Sequence, residues 1–166
     1  MKTFNRQSSG FFLLEALIAI LIFSLGLLGL VAMQGAAISA QSDAQYRAEA
    51  AKFANEILSV MWVNVDRKSI DIDKDGLATK ASLATFTHQP AGADCVFSGA
   101  AAASPLVSEW STRLLGTSGL PGAAAAGQQI SVNNTAAGLN KVVVTICWQT
   151  PQDKAPRKHI AISYIN

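Results

Sequence analysis

The sequence predicts an α+β fold, in which one long N-terminal α-helix packs on a small antiparallel β-sheet head. The first observation is that residues 11–65 contain no proline and follow a helical pattern, apolar on all sides at first and later on one stripe. The second is a pair of late segments, 142–148 and 160–165, that are rich in β-branched and aromatic residues. A long helix followed by a few strands is typical of α+β proteins.

The first part of the predicted helix is apolar enough to cross a membrane. In the segment Phe11–Met33 the only ionisable side chain is Glu15, although 14% of the whole chain is charged. At about 1.5 Å per residue, such a helix spans the roughly 30 Å hydrocarbon core of a bilayer. The preceding residues 1–10 include two basic residues and no acid. Because positive flanks stay in the cytoplasm, we expect the rest of the chain to be exported.

Other interpretations of this apolar segment remain open. A secretory signal peptide would use the small residues Ala37–Ser39 for cleavage, but its apolar core is shorter, about 7–15 residues, and normally lacks a Glu. A plain membrane anchor has the same hydropathy. The distinguishing feature is Glu15, because a carboxylate inside an apolar span costs roughly 2.5–3.5 kcal/mol and calls for a partner. The alternative is a charge near the interface that favours the positive end of the helix.

The residues around Glu15 form a motif. Ser9–Glu15 reads SGFFLLE, with Glu15 at the fifth place after Gly10. This resembles the prepilin motif of type IV pilin-like proteins, a short basic leader that ends in Gly, followed by an apolar residue and then this Glu. The resemblance implies that prepilin peptidase cleaves between Gly10 and Phe11 and methylates the new Phe11 amine. It also implies that Glu15 pairs with the Phe11 amine of a neighbouring subunit in a filament. Phe12 departs from the Thr or Ser common at its place.

The helical pattern continues after the apolar segment. We divide the chain into a leader (1–10), a transmembrane or filament-core helix (11–34), an amphipathic continuation of that helix (35–65) and a periplasmic head (66–166). The predicted buried stripe of the continuation consists of Ile38, Tyr46, Ala50, Phe53, Ile57 and Met61. An apolar stalk followed by a half-buried stretch is the arrangement expected of a filament subunit.

The head is predicted to contain a further helix and a third strand. The helix starts at Ser104-Pro105 and ends near Gly116, because proline is favoured at the first helical position. The third strand covers Ile130–Val132. The Ala/Gly-rich stretches 98–103 and 116–127 are predicted to be surface loops, since they offer little to pack.

The head also resembles minor pilins of the PilV type. The resemblance is carried by Trp110, Leu114-Leu115, Leu120–Gly122 and the strand at 142–148. It implies a structural subunit that helps to initiate pilus assembly together with other minor pilins, major pilins and a tip adhesin. It also implies an inner-membrane precursor with a periplasmic head, which then joins an extracellular pilus of a Gram-negative-type bacterium. A minor pseudopilin of a type II secretion system is the alternative within this class.

The two cysteines are predicted to form one disulfide. Cys95 and Cys147 both lie in the part expected outside the cytoplasm, where disulfides persist. Closing a loop of about 50 residues stabilises by roughly 4 kcal/mol in the chain-entropy model. The alternative of metal ligation would need His88 or His159, which lack a recognisable ligand spacing.

One short motif suggests a cation. Asp71, Asp73 and Asp75 alternate before Gly76, as at the start of a calcium-binding loop. The loop lacks the expected final Glu, because Ser82 occupies that place, and a polar turn after the long helix explains the same residues. A calcium site used by an anchored periplasmic binding protein is therefore the hypothesis from a second functional class. Calcium is the one cofactor considered.

The remaining classes are disfavoured. The sequence contains no nucleophile elbow, phosphate-binding loop or placed His/Asp pair, so we expect a structural protein and not an enzyme. The net charge is +2 and no basic stripe is present, so no nucleic-acid partner is predicted.

Overall fold

Helix α1 is the longest element of the computed structural model, which describes residues 9–67, 77–135 and 139–165. It runs without interruption over the 56 residues Ser9–Asn64. No proline removes a backbone donor in this stretch, so the hydrogen-bond ladder continues to its end. The chain divides into two compact units, Met1–Ala44 and Gln45–Asn166. The end of α1 therefore belongs to the same unit as the head.

In the described residues the head contains two short helices, five strands and one 3-10 turn. In chain order these are α2 (Leu77–Ala84), β1 (Ala91–Ala93), β2 (Val96–Ser98), α3 (Pro105–Leu115), the 3-10 turn Ala125–Gly127, β3 (Gln128–Asn133), β4 (Lys141–Trp148) and β5 (Arg157–Tyr164).

The main sheet is antiparallel with the strand order β3-β4-β5. Val144 in the central strand lies opposite Ile130 on one side and Ala161 on the other. Strands β1 and β2 form a separate hairpin. The predicted α+β class is confirmed, since a long helix and a small antiparallel sheet share one core.

The core lies between the last turns of α1, helix α3 and one face of the sheet. Its fully buried members come from the helical stripe Ala50, Ala54, Ile57 and Met61, from Leu83 of α2, from Val107, Trp110 and Leu114 of α3, from Ile130, Val142, Val144, Ile146 and Trp148 of the sheet, and from Ile165 after β5. Burial alternates in the first half of β4, because a strand turns every second side chain toward the helices, and in the second half both faces are buried. Burial of each Val, Leu, Ile or Met side chain in this core contributes about 1.5–3 kcal/mol relative to its exposure.

Most predicted elements of the head are confirmed, and their boundaries shift by a few residues. Helix α3 starts at Pro105, and strands β3, β4 and β5 cover the three predicted segments. The prediction that Ile38 belongs to the buried stripe is wrong, because its side chain is 68% exposed. Burial begins only where the head covers the helix, and Ala50 is the first fully buried residue of α1.

The predicted loop 116–127 packs more tightly than expected. Leu120 is buried in the core, and its amide donates to the carbonyl of Leu114. A Cβ at Gly119 would lie 2.0 Å from the Leu114 carbonyl oxygen, so only glycine permits this approach. Most of this stretch lies at the surface as predicted, but Leu120 and Gly127 are buried, and Gly119 lets the backbone approach the end of α3.

Candidate functional site

The candidate site is the start of helix α1, where Phe11 and Glu15 lie on one face. Residues four apart in an α-helix are separated by about one turn and project on the same side. Both residues lie inside the unbroken helix, and both side chains are exposed. Gly10 is also helical in the uncleaved chain. The geometry therefore places the predicted cleavage point one turn before the carboxylate.

The helix around this site is apolar and exposed on every side. Its most apolar stretch of 18 residues has a mean hydropathy of 2.7, and none of that stretch is buried within the protein. Phe11 is 71% exposed, and the other large apolar side chains up to Met33 are similarly accessible. The helix is long and apolar enough to cross a membrane, so these side chains are suited to contact lipid or other apolar helices.

Glu15 has no basic residue near it in the following sequence. The next Lys or Arg after Glu15 is Arg47, which belongs to the second compact unit. In the uncleaved chain the Phe11 nitrogen is a peptide amide and carries no charge. A cut between Gly10 and Phe11 would create an amine one turn from Glu15, at the positive end of the shortened helix. Carboxylates are favourable near helix N-termini, and an ion pair would add to that effect.

The head is fixed to the last turns of α1 through helix α3. The indole Nε1 of Trp110 donates to the backbone carbonyl of Phe53 at 2.9 Å, and Trp110 is almost fully buried. Arg113, one turn further along α3, forms a salt bridge with Glu56. A buried indole needs a hydrogen-bond acceptor, and the helix carbonyl supplies it. These contacts attach the head to α1 within one compact unit.

The structure joins Cys95 and Cys147 in a disulfide, with a Cα–Cα distance of 5.7 Å. Cys147 lies on β4, and Cys95 lies in the turn between β1 and β2. Asp94 and Cys95 both have positive φ, as the two central residues of a type I′ hairpin turn require. The bridge therefore ties a small hairpin with few core contacts to the central strand of the sheet.

The described residues contain no group of three or more His, Cys, Asp or Glu that could hold a metal ion. The predicted calcium ligands Asp71, Asp73 and Asp75 lie outside the described residues. His88 and the two cysteines do not form a metal site, since the cysteines are bridged. The His88 Nδ1 accepts a hydrogen bond from the backbone amide of Ala102 at 3.2 Å. Partial burial lowers the pKa of His88, because it disfavours the charged form of the imidazole.

Comparison with protein-family models, curated proteins and solved structures finds no match for this chain.

Sequence reasoning missed helix α2 and the β1–β2 hairpin. The hairpin strands have three residues each, too few to show an alternating pattern, and β1 is Ala-Gly-Ala, which has little β propensity. The available signal was Asp94, since Asp is favoured at the first position of a type I′ turn. Its usual partner Gly is replaced by Cys95, and the signal is correspondingly weak.

Proposed function

We propose that this chain is a minor structural subunit of a type IV pilus, made as a precursor that prepilin peptidase cleaves after Gly10 and methylates on Phe11. The observation that carries the proposal is the SGFFLLE motif at the start of an unbroken helix whose following residues are apolar and exposed on all sides. The subunit resides in the inner membrane before assembly, with its head in the periplasm. It then joins other minor and major pilins, and a tip adhesin, to initiate the fibre.

The assembly step follows from the electrostatics of Glu15. In lipid the only cation beside the Glu15 carboxylate is the Phe11 amine of its own chain. Because a carboxylate in an apolar environment is costly, a second cation from a neighbouring subunit would stabilise it. In a filament the carboxylate pairs with the Phe11 amine of a neighbour, while the exposed apolar side chains of both helices pack together. The disulfide-bonded head suits the oxidising periplasm and the cell exterior.

The test is mass spectrometry of the mature chain isolated from the cell envelope. We expect the mature protein to start at Phe11 and to carry one methyl group on its amine. A chain that keeps residues 1–10, or one cut after Ser39, contradicts the proposal. A minor pseudopilin of a type II secretion system shares the same processing. Recovery of the chain in sheared surface pili, rather than in the envelope of secreting cells alone, distinguishes the pilus subunit.

A further inference from the structure

We propose that the open edge of β5 binds an extended segment of another protein, one with alternating apolar side chains and acidic residues at its two ends. The segment would add a fourth strand to the three-stranded sheet. Three properties of this edge carry the proposal: backbone groups that no other described strand pairs, exposed apolar side chains and positive charge. The proposal does not depend on whether the chain is a filament subunit.

The backbone of β5 is paired along one edge. The amide of Ile165 donates to the carbonyl of Asn140 at 3.2 Å, and these two residues continue the β4–β5 register. Hydrogen-bonded pairs alternate along an antiparallel ladder, so the odd-numbered residues of β5 bond to β4. The even-numbered residues direct their N–H and C=O groups away from the sheet, and no other described strand pairs with them. These residues are Lys158, Ile160, Ile162 and Tyr164.

The opposite edge of the sheet differs from the β5 edge. On β3, Ile130 exchanges two backbone hydrogen bonds with His88, at 2.9 and 3.0 Å. The side chain of Gln129 donates to the carbonyl of Gln89 next to this bridge. Proteins protect long edges from unwanted pairing by such coverage, by bulges, by proline or by charged side chains, which on β5 stand only at the end formed by Arg157 and Lys158. The 8 residues of β5 contain no proline and pair in a continuous register with β4, so this edge is suited to accept a strand.

Apolar side chains flank the open edge on both faces of the sheet. Ile160, Ile162 and Tyr164 are 48%, 53% and 51% exposed on the outer face. On the other face Trp62 is 44% exposed, and its Nε1 donates to the Ser163 hydroxyl at 3.2 Å. A strand added beside β5 would place alternate side chains against each of these two surfaces. The positions of such a strand that face Ile160, Ile162 and Tyr164, which are every second residue, must therefore be apolar.

The charged residues of the sheet indicate which residues the partner strand carries at its two ends. Strands β3, β4 and β5 contain no Asp or Glu. Lys158 lies at one end of the exposed row, and Lys141 lies opposite Tyr164 at the other. Acidic residues at both ends of a partner strand would complement these lysines. An anionic membrane surface would also attract them, but it cannot pair the backbone N–H and C=O groups, so the observations favour a strand.

Amide hydrogen exchange, followed residue by residue by NMR on the full chain in detergent micelles, tests the proposal. The probe is a synthetic peptide as long as the 8 residues of β5, with valine at alternate positions and aspartate at both ends. We expect saturating peptide to slow exchange at Ile160, Ile162 and Tyr164 by about tenfold or more. Exchange at Ala161 and Ser163 should change little, because their amides already bond to β4. This alternation is specific to strand addition.

Two variants and two control probes complete the experiment. Ile162→Pro removes an amide that points to the open edge, and Ile162→Lys adds a charge there, so each should abolish the protection by the peptide. Val96→Lys, at an exposed apolar position on β2, should leave it unchanged. Absence of alternating protection in the parent chain overturns the proposal. Equal binding of a peptide with lysine ends would also overturn it. Protection by anionic lipid nanodiscs, without protection by the peptide, would do the same.

Discussion

The two parts of helix α1 have the same secondary structure and opposite surroundings. In the first compact unit the large apolar side chains from Phe11 to Met33 are exposed. In the second unit Ala50, Ala54, Ile57 and Met61 are fully buried against α3 and the sheet. The comparison shows that apolar character alone does not make a core. The apolar side chains of the first part need partners from outside the chain, either lipid or other helices. Those of the second part are covered by the head.

Gly10 directly precedes the exposed apolar part of the helix, and replacing it should have the largest effect, which is on removal of residues 1–10. If prepilin peptidase cleaves after Gly10 as proposed, Gly10→Val should leave the full-length chain in the membrane, because a β-branched side chain would hinder a close approach of the backbone to the protease. Intact-mass analysis of the membrane fraction measures this directly. Gly26→Val is the matched control, since a Cβ at Gly26 meets no atom within 4 Å and the position lies away from the cut. Normal removal of residues 1–10 from Gly10→Val would contradict the assignment of the motif.

Replacing Glu15 should impair assembly without affecting membrane residence. Glu15→Leu makes the span more apolar and leaves Gly10 untouched, so insertion and leader removal should continue. Removing one partner of an ion pair away from water costs about 3–5 kcal/mol, so incorporation into sheared filaments should fall more than tenfold. The measurement is the ratio of variant to parent in filaments, normalised to the membrane pool.

The matched control for Glu15 is Glu109→Leu, which removes an exposed carboxylate from α3 in the head. It should leave the ratio unchanged. A Glu15→Leu ratio equal to that of the parent would mean that Glu15 is a helix-end charge with no partner in the filament.

The disulfide stabilises the second unit alone. The Cys95–Cys147 bridge closes a loop with a sequence separation of 52, and its removal by the Cys95→Ser and Cys147→Ser double variant should cost about 4 kcal/mol. Urea unfolding followed by tryptophan fluorescence reports the loss, because all three tryptophans lie in this unit. Intact-mass analysis with and without reduction checks the bridge. Two thiols that alkylate without reduction in envelope-derived protein would show that it is not formed in the cell.

A pair of alanine substitutions compares the two parts of α1 directly. Ile57→Ala removes a fully buried side chain and should lower the free energy of unfolding of the head by about 2–5 kcal/mol. Leu25→Ala removes a side chain that is exposed in the first unit, so the same urea titration in detergent should change little. Equal losses for the two variants would show that the apolar part also supports the head.

The smallest effect concerns acid stability within the head. Arg157, which is hydrogen-bonded to Asp153 at 2.8 Å, holds the pKa of that carboxyl below its ordinary value of 3.8. The contribution of Asp153 to stability is therefore fully present above about pH 3.8, the ordinary pKa. It is lost as the pH falls from there through the folded-state pKa. We expect Asp153→Asn to have a slightly lower Tm than the parent at neutral pH. In strong acid this difference in Tm should become smaller. A constant difference in Tm across this range would contradict the pairing.

Some of the fold could be predicted because local patterns and tertiary structure agree. Helix α3 has proline at its start and a clear stripe in Val107, Trp110 and Leu114, and β4 is a run of β-branched residues. Helix α2 and the β1–β2 hairpin were missed because elements of eight and three residues are too short for a periodic pattern to stand out. The hairpin is held by the disulfide to β4, a contact between residues far apart in the chain.

The sequence by itself determined the long helix, the SGFFLLE motif at its start and the α+β class, because each depends on residues close together in the chain. The tertiary structure decided where burial begins along α1, exposing Ile38 and burying Ala50, since the helical pattern is the same on both sides of that boundary. It also decided that His88 pairs with the β3 edge, while no other strand in the described part of the chain pairs with the β5 edge. Such outcomes depend on which distant segments pack on a surface, and local periodicity does not contain that information.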